Sequence, residues 1–256
     1  NIGENIILNY PTNYLGNKLV ELNNTNLIKK LKRSSNPILI IGSAFLNQIK
    51  SSHTIKSIFS FAKKKKILSE NKNNLNFLNP YSSRVGQLYI GNTTPEICLP
   101  FSKVSENNYN LILSFNSEHI SNSNFNNCFK VYFGHHGDDG AMSADIVLPT
   151  PLYTEKNGIY VNCEGRVQQA IRATFPPGDA KEDWKIIKAF SDKLNLSLNF
   201  DTHQSLRNLL FENFPHFEKF GEIKSSKIKK IGKSGNLNNE KFNDTFSNFY
   251  MTCSIS

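Results

Sequence analysis

The sequence predicts an α/β fold: a mostly parallel sheet flanked by helices, incomplete alone and followed by an extended C-terminal tail. Three observations predict it. The run "PILIIGSAF" (37–45) is continuously apolar and β-branched up to Gly42 and Ser43, the pattern of a buried parallel strand turning into a helix. Short apolar runs alternate with helically spaced segments along most of the chain, which implies parallel strands joined by helical crossovers. "PPGDAKEDWKIIKAFSDKL" (176–194) supplies an amphipathic helix with its own start signal.

In chain order, Ile6, Ile7 and Leu8 read as a short strand closed by Pro11. Leu19, Leu22, Leu27, Ile28 and Leu31 recur at helical spacing and predict one helix up to Lys32. The strand at 37–42 leads into a helix through Ile49, Ile55, Ile58, Phe59 and Ala62. "LNFLN" (75–79) and the segment Ser82 to Ile90 give a weaker strand and helix. "NLILSF" (110–115) and "FKVYFG" (129–134) are two further strands with a short polar connection between them. "DIVLP" (145–149) is a strand stopped by proline, and "GIYVN" (158–162) alternates Ile159 and Val161 against Tyr160 and Asn162 as a half-buried strand does. Asp179 as N-cap with Glu182 three residues on forms a capping box, and Trp184, Ile187, Phe190 and Leu194 line one face of the helix that follows. A last helix is expected from Gln204 to Asn213. Residues 1–220 form one partial α/β domain on this reading, and 221–256 form a basic, polar tail that needs another surface to lie on. Because the pattern opens on a strand with nothing before it, the sheet lacks its first half, and a partner polypeptide is expected to complete it.

The 256 residues are enough to bury a substantial core. Hydrophobic and charged shares, 38% and 20%, are low because Asn and Ser fill the difference, a bias expected of a gene rich in A and T. Net charge +9 and an isoelectric point near 9.3 raise the question of nucleic acid. The lysines, however, cluster at Lys63–Lys66 and again from Lys224 to Lys233, apart from the aromatics, so a solvated face and a basic tail are expected and no nucleic-acid partner. Cys98, Cys128, Cys163 and Cys253 are far apart, without C-x-x-C or paired histidines, which argues against a metal cluster and for free thiols. The longest strongly apolar run is about half a membrane span, so no direct membrane span is expected. The chain starts at Asn1 without Met or a recognisable targeting peptide, as a truncated or processed chain would.

One stretch concentrates chemistry. "GHHGDDGAMSADIVLPTPLYTEKNGIYVNCEGRVQQ" (134–169) holds two adjacent histidines, several carboxylates, a cysteine and an arginine. Adjacent histidines on an extended segment point to opposite sides and do not share an ion, and Gly134, Gly137 and Gly140 set a turn after the strand. Glu155, Lys156, Glu164 and Arg166 could be acid, base and anion clamp, but no nucleophile or base of known spacing accompanies them, and charged turn residues are more often structural. Cys163 has no activating histidine at a telling spacing, so a buried or inert thiol is expected. No Gly-rich nucleotide fingerprint is present, although the turn at "GSAF" could offer helix amides to an anion.

Taken as a string, 134–190 closely resembles the C-terminal region of the large iron–sulfur subunits of respiratory complex I, the NADH:ubiquinone oxidoreductase. "NPILIIGSAFL", "SSRVGQLYIG", "FDTHQSLRNLL" and "FYMTCSIS" agree in order, so the resemblance runs over essentially the whole chain. That region is in turn similar to the molybdopterin oxidoreductases, whose block of the form A-D-x-V-L-P, E-x-x-G-T and N-x-E-R-V-Q wraps a pterin cofactor. Ala144, Asp145, Val147, Leu148, Pro149, Glu155, Gly158, Asn162, Glu164, Arg166, Val167 and Gln168 match it, while Ile159 and the inserted Gly165 depart from it. Nothing in the chain looks like that family's metal-ligating Cys or Ser segment. The resemblance therefore implies a retained scaffold that has lost its cofactor, with no catalytic, cofactor-binding or metal residue of its own. It implies a structural scaffold subunit in the matrix-side arm of a mitochondrial inner-membrane complex, with FMN and iron–sulfur clusters held by other complex I subunits. One of these would be a Cys-rich iron–sulfur polypeptide carrying the missing N-terminal half, from a split gene. The rival expectation is a fragment of an active molybdopterin-dependent oxidoreductase.

Overall fold

A computed structural model describes residues 1–3, 9–42, 45, 52–70, 72–78, 84–91, 109–116, 125, 127–223 and 241–242. Among them the fold is mixed α/β with parallel sheets and flanking helices, and the chain divides into two compact units. The first comprises described residues within Asn1–Ser82 with Lys241 and Phe242, the second those within Ser83–Lys224. The expected strand at 6–8, the start of the helix after Gly42 and most of the tail lie outside the described residues.

In the first unit, the single helix expected up to Lys32 is two pieces, a 3-10 segment Leu19–Asn23 and helix α1 Thr25–Arg33. Asn24 makes the break. Its side-chain oxygen accepts from the backbone N–H of Asn26 and Leu27, capping a new helix where the periodicity alone would have run through. Strand β1 (Leu39–Ile41) follows, then helix α2 (Ser52–Lys64), which seats Ile58 and Ala62 in the core. Lys66 ends α2 in a left-handed conformation, φ 56°, while Ile67 N–H donates to the Ala62 carbonyl at 2.9 Å. This is a Schellman closure with Lys where Gly is usual, and it delivers Ile67 fully buried beneath the helix. A two-residue hairpin, β2 (Leu68–Ser69) with β3 (Lys72–Asn73), comes next; periodicity could not reveal strands that short. It returns the chain to β4 (Leu75–Phe77), which lies parallel to β1 with Leu39 opposite Leu75. Phe242 stands against Phe45 at 5.9 Å, and its N–H donates to the Asn17 carbonyl, so this part of the tail lies on the chain's own first core.

The second unit begins with helix α3 (Arg84–Gly91). Strands β5 (Leu111–Phe115), β6 (Phe129–Gly134) and β7 (Ile146–Pro149) then form one parallel sheet in that spatial order. Between β6 and β7 lies a single helical turn, α4 (Asp139–Met142). After a 3-10 turn at Tyr153–Glu155, β8 (Gly158–Val161) pairs antiparallel with β9 (Val167–Ala170), a hairpin apart from the parallel sheet. "VQQA" is half polar and does not alternate, which hides β9 from sequence. Val161, Val167 and Phe217 make the second core, with Val85 and Tyr89 of α3 against it.

Helix α5 runs Asp183–Lys193, three residues later than the capping box implied. Gly178 adopts φ 53° and closes a turn at Asp179, while Lys181 N–H donates to the Pro149 carbonyl at 3.2 Å and holds this segment against the end of β7. Glu182 takes the cap position, and its carboxylate accepts from the Trp184 indole at 3.1 Å. Of the residues that line that apolar face, Trp184 is half-buried while Ile187, Phe190 and Leu194 are exposed, and the helix buries Ser191. Amphipathicity marks which stripe of a helix is apolar; of this one, Trp184 lies beside the rings of Phe200 and His203. Helix α6 (His203–Asn213) starts on a Thr202–Ser205 capping box, one residue before the expected start.

Candidate functional site

In a parallel α/β sheet ligands bind beyond the carboxyl ends of the strands, so the residues that leave β5, β6 and β7 define the place to look. These are Asn116, His135 with His136, and Thr150. Asn116 is left-handed at φ 48°, a conformation Asn tolerates, and its side-chain oxygen lies 2.9 Å from His135 Nδ1. The chain bends after Gly134, so the two histidine rings are neighbours, 4.7 Å between centres at 70°. The expectation that they point to opposite sides is overturned, because it assumed a strand that continues. Burial holds the His135 imidazole below the ordinary histidine pKa, the charges of His136 and Lys156 push the same way, and Asp138 and Glu155 oppose them.

The sequence motif supplies the rest of the strand ends. The Tyr132 hydroxyl donates to Asp138 Oδ2, while Asp138 Oδ1 accepts from Ala141 N–H at 2.9 Å and caps α4. Gly134 is required by packing: a Cβ there would collide with the ring of Tyr132, which is fully buried. Gly137 would meet nothing, so the expectation that all the glycines shape the turn holds only in part. Asp145 accepts from Lys130 N–H at 2.7 Å and returns a backbone bond to the Lys130 carbonyl, which sets the register in which β7 joins β6.

The four charged candidates do not converge. Glu155 accepts from Leu152 N–H at 3.0 Å and closes its own turn. Lys156 pairs with Asp183 at 2.7 Å, tying the loop to the first turn of α5. Glu164 sits in the β8–β9 turn, where Asn162 Oδ1 accepts from the N–H groups of both Glu164 and Arg166 at 3.0 Å. Arg166 donates to the Gly221 carbonyl at 2.6 Å. The inserted Gly165 has a physical reason, since it occupies φ 87° in that turn. Cys163 is exposed on the same turn, so of the expected alternatives, a buried or an inert thiol, the buried one is overturned; a tight hairpin turn has no interior. Cys128 donates to the Phe125 carbonyl. Sequence reasoning missed Asn116, Tyr132 and Asp183. The first could have been found as the residue directly after a parallel strand.

A parallel α/β architecture carrying the A-D-x-V-L-P and N-x-E segments as strand-end and turn scaffolding defines a class, and the chain belongs to the molybdopterin oxidoreductase family, whose model matches residues 1–193. Among curated proteins it is 35% identical to the NADH-ubiquinone oxidoreductase 75 kDa subunit of Reclinomonas americana over 99% of this chain and 38% of that one. The mitochondrial NADH-ubiquinone oxidoreductase 78 kDa subunit of Candida albicans is 38% identical over 89% of this chain and 32% of its own length. A bacterial relative, a NADH-quinone oxidoreductase component of Rickettsia bellii, is 33% identical over 100% of this chain and 37% of its own. The chain thus spans about a third of the length of the relatives it matches.

A molybdenum-bearing pterin, which the family's name implies, needs metal ligands and an open cradle. Among the described residues no three His, Cys, Asp or Glu side chains are grouped to hold a metal ion. The strand-end polar groups are largely engaged with one another, and the orphaned His136 Nδ1 and Thr150 Oγ1 leave room for a hydrogen bond or two rather than a cradle. A cleft of about 320 Å³ is lined by Gly165, Val167, Pro215, His216, Lys219 and Glu222, none of them at the strand ends. The described residues do not fit the group, and no chemical step is derived through it.

Proposed function

We propose that this chain is a non-catalytic scaffold subunit of the matrix-side arm of mitochondrial NADH:ubiquinone oxidoreductase. The observation that carries the reading is the match, over 89 to 100% of the chain, to proteins named as NADH-ubiquinone or NADH-quinone oxidoreductase subunits. The engagement of Glu155, Lys156, Glu164 and Arg166 in structural contacts supports it, because it leaves these groups no shared substrate position. On this reading FMN and iron–sulfur clusters reside in partner chains, one of them a Cys-rich polypeptide carrying the part of the relatives that this chain does not span. The chain itself binds no nucleic acid and holds no cofactor. No described helix is long and apolar enough to cross a membrane, so attachment to the inner membrane runs through partners.

Mass spectrometry of what co-purifies with the chain from its native membrane in mild detergent tests this. Flavin-binding and quinone-proximal subunits are expected together with the Cys-rich polypeptide. Recovery of molybdenum and pterin, without complex I subunits, would replace the reading with that of an active molybdenum enzyme. Glu155→Gln keeps an acceptor for Leu152 N–H and is expected to leave turnover per assembled complex unchanged; a large loss would put Glu155 in the chemistry.

A further inference from the structure

Charge is divided unevenly along this chain. Residues 1–82 hold twelve Lys and Arg against three Asp and Glu, whereas 83–224 hold thirteen against sixteen and 225–256 five against two. The first 82 residues thus carry an excess equal to the whole formal charge of +9, and no placement of their own carboxylates neutralises it.

The structure gathers most of that charge at one end of the first unit. Lys29, Lys30, Lys32 and Arg33 occupy the last turns of α1, all of them exposed. Lys63–Lys66 close α2, with Lys63, Lys64 and Lys66 exposed and Lys65 over the Phe61 ring. The hairpin that leaves α2 returns beside the end of α1: Lys72 donates to the Ser35 carbonyl at 3.4 Å, and the Asn74 amide to Asn36 at 2.7 Å. Asn74 N–H also donates to the Ile67 carbonyl at 3.1 Å, so both helix ends and the hairpin meet where β1 and β4 begin.

Cations in the last turn of a helix offset its dipole, which accounts for some of them. It does not account for nine cations beside one carboxylate, Glu70, in these two stretches, because like charges repel. None of the nine forms an ion pair among the described residues. Lys66, moreover, keeps its charged side chain at a left-handed φ of 56° despite the backbone strain.

Side-chain chemistry separates the anions that fit such a surface. Eight of the nine are lysines, which lack the fork that grips phosphate bidentately, and residues 25–33 and 63–73 contain no aromatic to stack on a base. Among the described residues of both stretches no large apolar side chain is exposed, so the anchor that seats a basic helix in lipid is missing. Carboxylates fixed on a protein surface need only complementary point charges. We propose that this basic end of the first unit docks on an acidic surface of a neighbouring subunit, which rests on the scaffold reading above. That reading, drawn from relatives named as subunits, supplies the neighbours.

The test uses the assembly in which the native chain is recovered in mild detergent. A carbodiimide joins a lysine amine directly to a carboxylate that it touches, and mass spectrometry is expected to find Lys30, Lys32, Lys63 or Lys64 joined to Asp or Glu of another chain. The same lysines are expected to resist acetylation until the assembly is dissociated. Lys63→Glu with Lys64→Glu should lower recovery of the cross-linked chain about tenfold or more, as added salt does, whereas Lys63→Arg with Lys64→Arg retains it. Lys181→Glu, at an exposed lysine of the second unit, leaves recovery unchanged. Should the double Glu variant fail to fold, cross-linking and acetylation decide. Cross-links absent or confined to the chain's own carboxylates would overturn the proposal, as would lysines acetylated equally fast inside and outside the assembly. Protection that disappears on lipid extraction or nuclease digestion would overturn it too, in favour of a membrane or a nucleic acid. If complex I subunits are recovered and the lysines stay open, only this proposal fails; if an acidic chain cross-links but no complex I subunit is recovered, the docking stands and the scaffold reading fails.

Discussion

Tyr132 is the side chain around which the strand ends are organised. It is fully buried, its ring occupies the space a Cβ on Gly134 would need, and its hydroxyl fixes the residue that caps α4. Gly134→Val must displace that ring and is expected to cost about 1–3 kcal/mol in urea unfolding, the range of overpacked cores. An unchanged midpoint would show that the ring moves freely. His135 makes stability depend on pH. Its folded pKa lies below the ordinary 6.5, chiefly through burial, so the unfolded chain binds the proton more tightly. The stability it contributes is complete above that ordinary value and is lost as pH falls through the lower folded one. The urea midpoint should therefore drop on acidification from neutrality, and His135→Gln should make the drop shallower; parallel curves would remove His135 from the account.

Two helices close through left-handed residues that are not glycine. Lys66 pays the left-handed penalty in the α2 closure, whereas Asn195 performs the same role after α5 at φ 55°, with Leu196 N–H donating to the Ser191 carbonyl at 2.9 Å. Lys66→Gly is expected to raise stability by roughly 0.5–1 kcal/mol, since Gly relieves the strain at a partly offsetting entropic cost. A loss of stability in thermal unfolding would mean that the Lys66 side chain contributes more than its backbone costs. The Lys156–Asp183 pair, with both side chains mostly buried, anchors the start of α5. Lys156→Met leaves the carboxylate without a cation and is expected to cost about 1–3 kcal/mol, partly recovered when combined with Asp183→Asn. Additive single effects would show that the pair is not coupled. Lys188 is held above the usual lysine range by its hydrogen bond to Asp201, which clips the middle of α5 to the segment before α6.

Among the described residues, each of the two units has a core cluster of its own. The first collects Ile41, Ile58, Ala62, Ile67 and Leu75, with Phe242 packed against it from more than a hundred and fifty residues away in sequence. Phe242→Ala is expected to speed amide hydrogen exchange at β1, α2 and β4 while leaving β8 and β9 unchanged. Uniform loss of protection would mean that the two units unfold together.

Much of the fold was legible in the residues because it rests on local rules. The apolar run at 37–42, the strands at 110–115, 129–134 and 145–149, and the helix at 204–213 each declare their type by period, branching and caps, and α/β class follows from their alternation. The block at 134–169 likewise identified the family through residues whose roles prove local: Asp145 at a strand start, Asn162 in a turn, Glu155 closing its own 3-10 segment. What sequence could not decide was set by competing local caps and by contacts between distant positions. Asn24 split a helix, Gly178 delayed another, β9 became a strand only because β8 was there to pair with it, and the histidine rings met because the chain bends after Gly134. Burial is the clearest case: amphipathicity fixes which stripe of a helix or face of a sheet is apolar, but whether it is covered depends on a neighbour that its own period cannot encode.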